Sequence, residues 1–435
     1  RPMSADSAIM NPEKNILALK LQRQLQVFNL ETKAKLKSHM SPQDVIYWRW
    51  ISATVLGIVT TSSVYHWSIE DDAAPQKVFD RHASLADTQI INYRASADGK
   101  WMVLIGISSN TVDANAFRIK GSMQLYSKER GVSQPIDGHA AAFAELKTQD
   151  AIVPYKLFTF AVRTSTGAKL HIVEIDHAPE NPAFLKKTVD VFFPDEATND
   201  FPVAMQVSKR YGIVYLMTKY GFIHLYDLET GACIYMNRVS GETVFVAAEQ
   251  KSSNGIIAVN RRGQVLSVSV DADTIIPYIL RTLNNTDLAF KLASRGNLPG
   301  ADEMYLQQFH SLFSTGQYTE AIKIAANSPR GILRTPQMIE QLKQVPSQPG
   351  TLSPILQYFG MLLESGSLNQ HESLELSKPV LAQGRKHLLE KWLKEDKIEC
   401  SEELGDIVRM QDMSLALSVY LRANVPNKVV ACFAE

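Results

Sequence analysis

The chain has 435 residues, and its 45 lysines and arginines are balanced by 45 aspartates and glutamates, so no overall charge attracts it to nucleic acid or to an anionic membrane. Its three cysteines, Cys233, Cys400 and Cys432, form no CxxC pair, which argues against a disulfide framework or a zinc cluster and favours the cytosol, a reducing compartment. No apolar run approaches the roughly 18 residues that a membrane span needs, and the N-terminus has no signal-peptide pattern.

An internal repeat organises the first part of the chain. The stretch LQVFNLET at residues 25–32 returns as IHLYDLET at residues 223–230, and weaker copies lie at residues 64–68, 123–127, 170–174 and 265–269. The copies are roughly 40 to 60 residues apart, an irregular spacing that is typical of four-stranded β-propeller blades and not of helical repeats with a rigid period. The sequence therefore predicts a β-propeller with about six blades.

The repeat at residues 202–239 can be divided completely into strands. Its apolar runs lie at residues 202–207, 212–217, 222–227 and 233–239, and short turn sequences separate them. The same division assigns blades to residues 8–38, 45–80, 88–136, 140–194 and 243–277. Two insertions, at residues 110–120 and 176–187, are predicted to be exposed loops.

The apolar period changes to that of helices after Pro277, because apolar residues then recur at i, i+3, i+4 and i+7. A Pro-rich stretch, residues 345–350, is predicted to be a bend or a tight loop. The sequence thus predicts two domains, a propeller at residues 1–280 and a helical zigzag or α-solenoid at residues 281–435. Helices are expected at residues 287–294, 301–313, 318–326, 354–363, 385–394, 402–410 and 413–422, with an incomplete helix at residues 425–435.

The sequence gives no sign of catalysis, of a cofactor or of a metal site. It contains no GxGxxG, GxxxxGK, HExxH or GxSxG motif. His66, His171 and His224 recur at the same repeat position, but glutamine occupies that position in two other copies. A polar, half-exposed strand position explains these histidines better than a ligand set does.

Lysines alternate with apolar residues in KAKLK, residues 33–37. Because side chains alternate along a strand, the three lysines are expected on one face. Two interpretations remain open. The lysines protect an edge strand against pairing with another chain, or they form the wall of a groove for acidic peptides, to which Gln26 and Phe28 on the preceding strand supply a polar contact and an apolar floor.

Several long stretches carry a family resemblance, namely residues 4–12, 80–82, 89–94, 199–206, 219–237, 331–336, 389–397 and 420–428. They closely resemble the clathrin heavy chain family. The family has a seven-bladed propeller followed by a zigzag of helices that leads into the leg. Since this chain supplies six repeats, the resemblance implies that the first blade, and the strand closing the last one, precede Arg1.

The resemblance also implies three peptide sites. The groove between the first two blades of such proteins binds the clathrin-box motif of adaptors, which has a leucine, an apolar residue and an acidic end. A central site for tryptophan-containing motifs would use Gln89 and Ile91, and a third site, between later blades, would use Arg130 and Gln134. The positions that match the clathrin-box groove are Leu17, Gln24, Gln26, Phe28, Lys33 and Lys35, with Gln24 departing from the small hydroxyl residue of relatives.

The function implied by the resemblance is that of a structural protein of clathrin-coated pits and vesicles, on their cytoplasmic face. The propeller would collect endocytic and sorting adaptors, and the helical rod would connect it to the polymerising leg. Light-chain binding and trimerisation would use segments beyond this chain, with no nucleic acid, no cofactor and no direct membrane insertion. The alternatives are a propeller-plus-solenoid subunit of another coat or tethering complex, and an enzyme in a propeller mouth, for which convergent titratable groups are lacking.

Overall fold

The computed structural model describes residues 4–109, 119–346 and 352–434. The chain divides into two compact units, Arg1–Asp271 and Ala272–Glu435. The first unit contains the strands, and the second contains the α-helices. The predicted succession of a propeller and a helical region is confirmed. The division falls before the predicted boundary at residue 280, because helix α1 already begins at Ile275.

Six antiparallel sheets follow one another in the described part of the first unit, and in each of them the strands pair in chain order. Five sheets have four strands, and the last has three. The strands are β1 (Ser7–Met10), β2 (Ile16–Leu21), β3 (Gln24–Asn29) and β4 (Ala34–Met40); β5 (Val45–Trp50), β6 (Val55–Thr60), β7 (Ser63–Ser68) and β8 (Gln76–Asp80); β9 (Gln89–Ala95), β10 (Trp101–Ser109), β11 (Ile119–Ser127) and β12 (Val132–Asp137); β13 (Ala140–Leu146), β14 (Tyr155–Thr164), β15 (Gly167–Glu174) and β16 (Lys187–Asp190); β17 (Pro202–Ser208), β18 (Ile213–Thr218), β19 (Phe222–Asp227) and β20 (Cys233–Arg238); β21 (Val244–Gln250), β22 (Gly255–Asn260) and β23 (Val265–Val268).

These sheets are the blades of a six-bladed propeller, as the repeat predicted. Each of the first four sheets shares an apolar core with the sheet that follows it. An ion pair between Lys251 and Glu13 links the sixth sheet to the first. In the fifth sheet, β18 and β19 are buried at every position, because neighbours cover both faces of the sheet.

The predicted blade limits agree with the strands except near the insertions and the last blade. The second sheet occupies the predicted residues 45–80. The last sheet ends at Val268, so the final residues of the predicted blade at 243–277 belong to helix α1. Residues 176–186 form a connection without strands, as expected. Most of the other predicted loop, residues 110–118, lies outside the described residues, and its last residue, Lys120, belongs to β11.

Eleven α-helices lie in the described part of the second unit. Most predicted helices are confirmed to within a few residues, and the predicted bend at residues 345–350 falls mainly outside the described residues. The helices are α1 (Ile275–Arg281), α2 (Thr286–Gly296), α3 (Asp302–Ser314), α4 (Tyr318–Ala326), α5 (Pro336–Gln344), α6 (Pro354–Ser365), α7 (Gln370–Ala382), α8 (Lys386–Lys394), α9 (Glu402–Arg409), α10 (Met413–Arg422) and α11 (Pro426–Ala434).

Three helices, α1, α5 and α7, were not predicted, and for α1 and α7 an internal proline explains why. Helix α1 carries Pro277 in its first turn, and α7 contains Pro379. Proline inside a segment indicates a break in a helix, so neither segment was predicted to be helical. Helix α5 begins with Pro336 at its first position, where proline is tolerated, and the side chain of Thr335 caps it by accepting from the backbone N–H of Met338. Among the described residues, no helix is both long and apolar enough to cross a membrane.

A close approach between two helices makes Gly405 in α9 sensitive to substitution. A methyl group there would lie 2.2 Å from Cε1 of buried Tyr420 in α10. We expect Gly405→Ala to lower the free energy of unfolding of the helical unit by about 1 to 3 kcal/mol, because the rings and the backbone must shift. Thermal unfolding followed by circular dichroism at the helix band measures the change.

Gly360 in α6 provides the matched control for this prediction. It is exposed, and a methyl group there meets no atom within 4 Å. Gly360→Ala should therefore raise the free energy of unfolding by roughly 0.5 to 1 kcal/mol, since alanine loses less backbone freedom in a helix than glycine does. Equal stabilities of the two variants would contradict the close packing of α9 on α10.

Candidate peptide-binding site

One face of the first sheet brings four of the predicted groove residues together. Strand β2 pairs with β3 so that Leu17 lies opposite Phe28 and Leu21 lies opposite Gln24. Directly opposite residues of antiparallel strands project to the same face of a sheet. Gln26 lies between Gln24 and Phe28 on that face, because side chains alternate along β3.

This face extends over all four strands of the first sheet. Met10 lies opposite Leu17, and Lys35 lies opposite Phe28. These four residues form a row across the sheet that begins with apolar side chains and ends with a lysine. We call this surface the open face, and it consists of Met10, Leu17, Leu19, Leu21, Gln24, Gln26, Phe28, Lys35, Ser38 and Met40.

The open face is accessible at both ends and half-buried at its centre. Met10 is 52% exposed and Met40 is 64% exposed. Leu17, Gln26 and Phe28 are half-buried. An apolar surface with a polar amide beside it and a lysine at its margin can hold apolar side chains of a short peptide and attract an acidic end.

The opposite face of the same strands fixes the open face in place. Leu25 and Val27 of β3 are fully buried, and they pack in one cluster with Leu56 and Trp67 of the second sheet. The indole Nε1 of Trp48 donates to Ser7 Oγ at 3.1 Å, which adds a polar link between the two sheets. The alternation of buried and half-buried residues in β3 therefore gives a rigid support to the open face.

A β-bulge divides the lysines, so the prediction that all three share one face is wrong. Lys33 precedes β4 in the turn, with a φ of 54°. Lys35 lies opposite Phe28, but Lys37 lies opposite Val27, because the register shifts by one residue between these pairs. Lys37 consequently projects to the buried face, and Lys35 alone of the strand lysines belongs to the open face.

Lys37 has a structural role in the junction between the first two sheets. Its side chain is only 9% exposed. Its Nζ donates to the carbonyl oxygen of Ser68 at the end of β7 at 2.8 Å, and to those of Asp71 at 2.6 Å and Ala73 at 2.9 Å in the connection that follows. It also lies 5.3 Å from the ring centre of Trp67. Lys37 thus holds a loop of the second sheet against the first sheet.

Strand β4 is an edge strand of the first sheet. Both interpretations of the lysines are therefore compatible with the fold. Lys33 and Lys35 are exposed, and both can discourage pairing with another chain as well as attract an acidic peptide. Binding measurements distinguish the two roles.

The residues of the two other predicted sites lie elsewhere, on the third sheet. Gln89 is exposed at the beginning of β9, and Ile91 is half-buried against the core between the third and fourth sheets. Arg130 lies in the turn after β11, with its guanidinium carbon 5.9 Å from the ring centre of Trp101. Gln134 is exposed on the edge strand β12. The residues of the three predicted sites thus lie on three separate surfaces.

The recurring histidines have different environments, and only part of the prediction holds. His66 is half-buried, and its Nε2 lies 2.7 Å from the Tyr93 hydroxyl. His171 stacks on Phe160 at 4.7 Å. His224 is only 1% exposed, which contradicts the predicted half-exposed position, because neighbours cover both faces of the fifth sheet. Among the described residues, no group of His, Cys, Asp and Glu side chains could hold a metal ion.

Sequence reasoning missed Met10 and Met40 on the open face and the structural role of Lys37. The alternation within a single strand carries no information on which residues of the neighbouring strands lie opposite. A signal for Met10 existed, because Ile9 and Met10 belong to an apolar run, but its partner Leu17 follows only from the hairpin register. The role of Lys37 depends on the bulge, for which the local sequence gives no marker.

We expect Lys37→Met to lower the free energy of unfolding of the propeller by about 1 to 3 kcal/mol, since it removes three charge-assisted hydrogen bonds to carbonyl oxygens. Methionine keeps the aliphatic stem, so packing on Trp67 is largely retained. Lys35→Met is the matched control, and it should change the stability by less than about 0.5 kcal/mol. Urea unfolding measures the free energy of unfolding of both variants. Equal values for the two variants would refute the structural role of Lys37.

A second prediction concerns pH. Burial lowers the pKa of His224 to about 4, and burial together with the positive charge of Lys128 lowers the pKa of His66 to about 4, from an ordinary 6.5. Below pH 6.5 the unfolded chain therefore binds more protons at these positions than the folded chain does. Their contribution to stability is complete above pH 6.5 and is lost as the pH falls toward 4, by roughly 1 to 2 kcal/mol per histidine at pH 5.

His224→Leu tests this pH dependence, because leucine suits the apolar surroundings and cannot be protonated. The variant should lose less stability than the wild type when urea unfolding is repeated at about pH 5 instead of pH 7.5. His387→Leu, at an exposed position of α8, controls for the loss of a histidine as such. The same pH dependence in His224→Leu and in the wild type would show that His224 does not contribute.

Comparisons with known proteins agree with this architecture. Residues 194–229 and 237–271 match the clathrin propeller repeat, residues 273–295 match the clathrin heavy-chain linker, and residues 297–362 match the Clathrin-H-link family. The chain is 59% identical to the clathrin heavy chain of Drosophila melanogaster, 56% identical to clathrin heavy chain 2 of Homo sapiens and 56% identical to the probable clathrin heavy chain of Schizosaccharomyces pombe. Each alignment covers 100% of this chain and 26% of the relative, so the chain spans about a quarter of the length of these proteins.

Proposed function

The chain belongs to the clathrin heavy chain family, and we propose that its propeller holds adaptor proteins in a clathrin coat while its helices continue toward the polymerising leg. The observation that carries this proposal is the open face, where the row from Met10 through Leu17 and Phe28 to Lys35 offers apolar contacts followed by a positive charge. A clathrin-box peptide, with leucine-type anchors and an acidic end, has the complementary pattern.

Apolar anchoring should dominate the affinity. Each buried leucine-type anchor contributes roughly 1.5 to 3 kcal/mol. Each contact between an exposed lysine and a carboxylate contributes about 1 kcal/mol or less, because water screens it. Ordering an extended peptide opposes binding, so one motif should bind with a dissociation constant on the order of 10 μM to 1 mM.

Weak sites are sufficient for a coat protein, because many propellers in one lattice act together. An adaptor with several motifs makes its second contact at a high effective concentration, and its residence time increases steeply. Gln89 with Ile91, and Arg130 with Gln134, are proposed as further peptide sites on the third sheet. Separate surfaces allow different motifs to bind the same propeller at the same time.

The proposed role is structural and not catalytic. It places the protein in coated pits and coated vesicles, on their cytoplasmic face, with endocytic and sorting adaptors as its partners. Light chains and the trimerisation of heavy chains would engage segments other than those described, and no nucleic acid partner is proposed. A subunit of another vesicle coat or of a tethering complex would use a propeller and a solenoid as well, but it would not require Phe28 for binding clathrin-box peptides.

We expect Phe28→Ala to weaken the binding of a fluorescent peptide of the form leucine, leucine, any residue, leucine, aspartate at least tenfold, because the aromatic floor is removed. Lys35→Ala should weaken it about two- to fivefold. Lys33→Glu combined with Lys35→Glu should weaken binding more than Lys35→Ala does, because attraction of the acidic end becomes repulsion. Fluorescence anisotropy gives the three dissociation constants.

Two controls sharpen this test. Lys391→Glu combined with Lys394→Glu makes the same change in net charge on α8, far along the chain from the open face, and should leave the affinity unchanged. Raising the salt concentration from about 0.05 to 0.5 M should weaken the wild type only several-fold, since screening acts on the lysine contacts alone. Unchanged affinity in Phe28→Ala and in the lysine reversal would mean that the lysines only protect the edge strand.

A further inference from the structure

A cavity of about 310 Å³ lies at the ends of the first strands of five sheets. Strands β5, β9, β13, β17 and β21 each contribute residues from their second half or from the turn that follows. Arg94 and Gln206 lie at equivalent places in β9 and β17, on the third and the fifth sheets. The cavity is separate from the open face, which lies on the first sheet.

The charged side chains around the cavity do not cancel. Four of them are cationic and three are anionic, so the lining carries one net positive charge at neutral pH. One pair is satisfied internally, because Lys156 Nζ lies 2.7 Å from Asp98 Oδ2. The complete set is Arg49, Arg94, Lys156 and Lys209 with Asp98, Glu145 and Glu249.

Arg94 carries much of the uncompensated charge. Its Nη1 donates to Gln206 Oε1 at 3.3 Å, a long contact with a neutral amide. Its Nε is buried and has no hydrogen-bond partner. Burial lowers the pKa of Arg94 to about 10, and the positive charge of Arg49 adds to this effect. Arg94 is half-buried, and its guanidinium remains charged at neutral pH. A partly buried charge without a close ion-pair partner is costly.

Arg49 lies near Arg94 and has no compensating anion either. Its Nη1 donates to Asn92 Oδ1 at 2.6 Å. In the described parts of the chain, neither guanidinium forms an ion pair with a carboxylate, and Glu249 acts on Arg94 only at longer range. Like charges repel when they share a site, so the protein maintains two arginines here at a cost in stability. A bound anion would remove that cost.

We propose that this cavity binds a carboxylate attached to a small apolar group, held by Arg49 and Arg94. A guanidinium donates two parallel hydrogen bonds to a carboxylate, which is a geometry that its two terminal amines can supply. A single negative charge neutralises the net charge of the lining. Ile51 and Phe143, both half-buried in the wall, provide apolar contacts for the attached group. The source of the carboxylate is a peptide C terminus or an acidic side chain.

The first experiment compares two small probes on the full chain. N-acetylleucine has a terminal carboxylate beside an apolar side chain, and N-acetylleucinamide is its neutral analogue. Saturation-transfer NMR should show binding of the acid in the millimolar range and at least tenfold weaker binding of the amide. N-acetylglutamate amide, with the carboxylate on a side chain, tests the second source. Equal binding of acid and amide, or binding of inorganic phosphate in preference to all three probes, would overturn the proposal.

Substitutions that are expected to weaken binding, and one that is expected to strengthen it, locate the site. Arg49→Gln and Arg94→Gln should each weaken the binding of N-acetylleucine at least tenfold. Glu249→Gln should strengthen it about two- to fivefold, because a competing negative charge near Arg94 is removed. Arg23→Gln, at an exposed arginine paired with Asp44, is the matched control and should have no effect.

The variants also separate binding from folding. If Arg94→Gln fails to fold, Arg49→Gln and Glu249→Gln decide the question, since Glu249 is exposed and its replacement removes no buried contact. Unchanged affinity in both would refute the site. Phe28→Ala should bind N-acetylleucine as the wild type does, because the open face and the cavity are independent. The inference therefore stands or fails separately from adaptor binding.

Discussion

The propeller depends on one packing constraint: a β-sheet that lies between two other sheets must pack against one of them on each of its faces. The fifth sheet shows this fully, because every residue of β18 and β19 is buried. A separate apolar cluster fills the space between each of the first four sheets and the next one. Stability is consequently distributed over a series of similar interfaces, each of which removes apolar surface from water.

The two faces of the first sheet differ in burial, because one packs on the second sheet and the other is the open face. Leu25 and Val27 are fully buried toward the second sheet, whereas Gln26 and Phe28 remain half-buried on the open face. Strand β3 therefore supplies both a rigid support and part of the surface that we propose as a binding site. Because Lys37 projects to the supported side and holds the adjoining loop, the charges of the open face are limited to its margin.

The sequence was sufficient for properties that depend on local periodicity, and it was insufficient for those that depend on pairing. Period-two alternation placed Gln26 and Phe28 on one face, and the repeated strands predicted the blades. The bulge that separates Lys35 from Lys37 arises from the pairing of β3 with β4, which no single strand encodes. His224 looked half-exposed because its burial comes from the neighbouring sheets. Helix α7 was missed because Pro379 within it indicated an interruption. The capping box of Asn369 and Glu372, which begins this helix, was not recognised.

The two sites that we propose, the open face and the cavity, would recognise their ligands in opposite ways on a chain with no net charge. On the open face, apolar side chains would supply most of the proposed binding energy. The exposed Lys35 would add an attraction for an acidic peptide end, which salt screens over about 8 to 10 Å. In the cavity, Arg94 is half-buried and its Nε is shielded from water, so its attraction for the proposed anion would be screened less. Since the overall charge favours neither site, specificity at both must come from local geometry: the register of β2 and β3 in one case, and the convergence of five strand ends in the other.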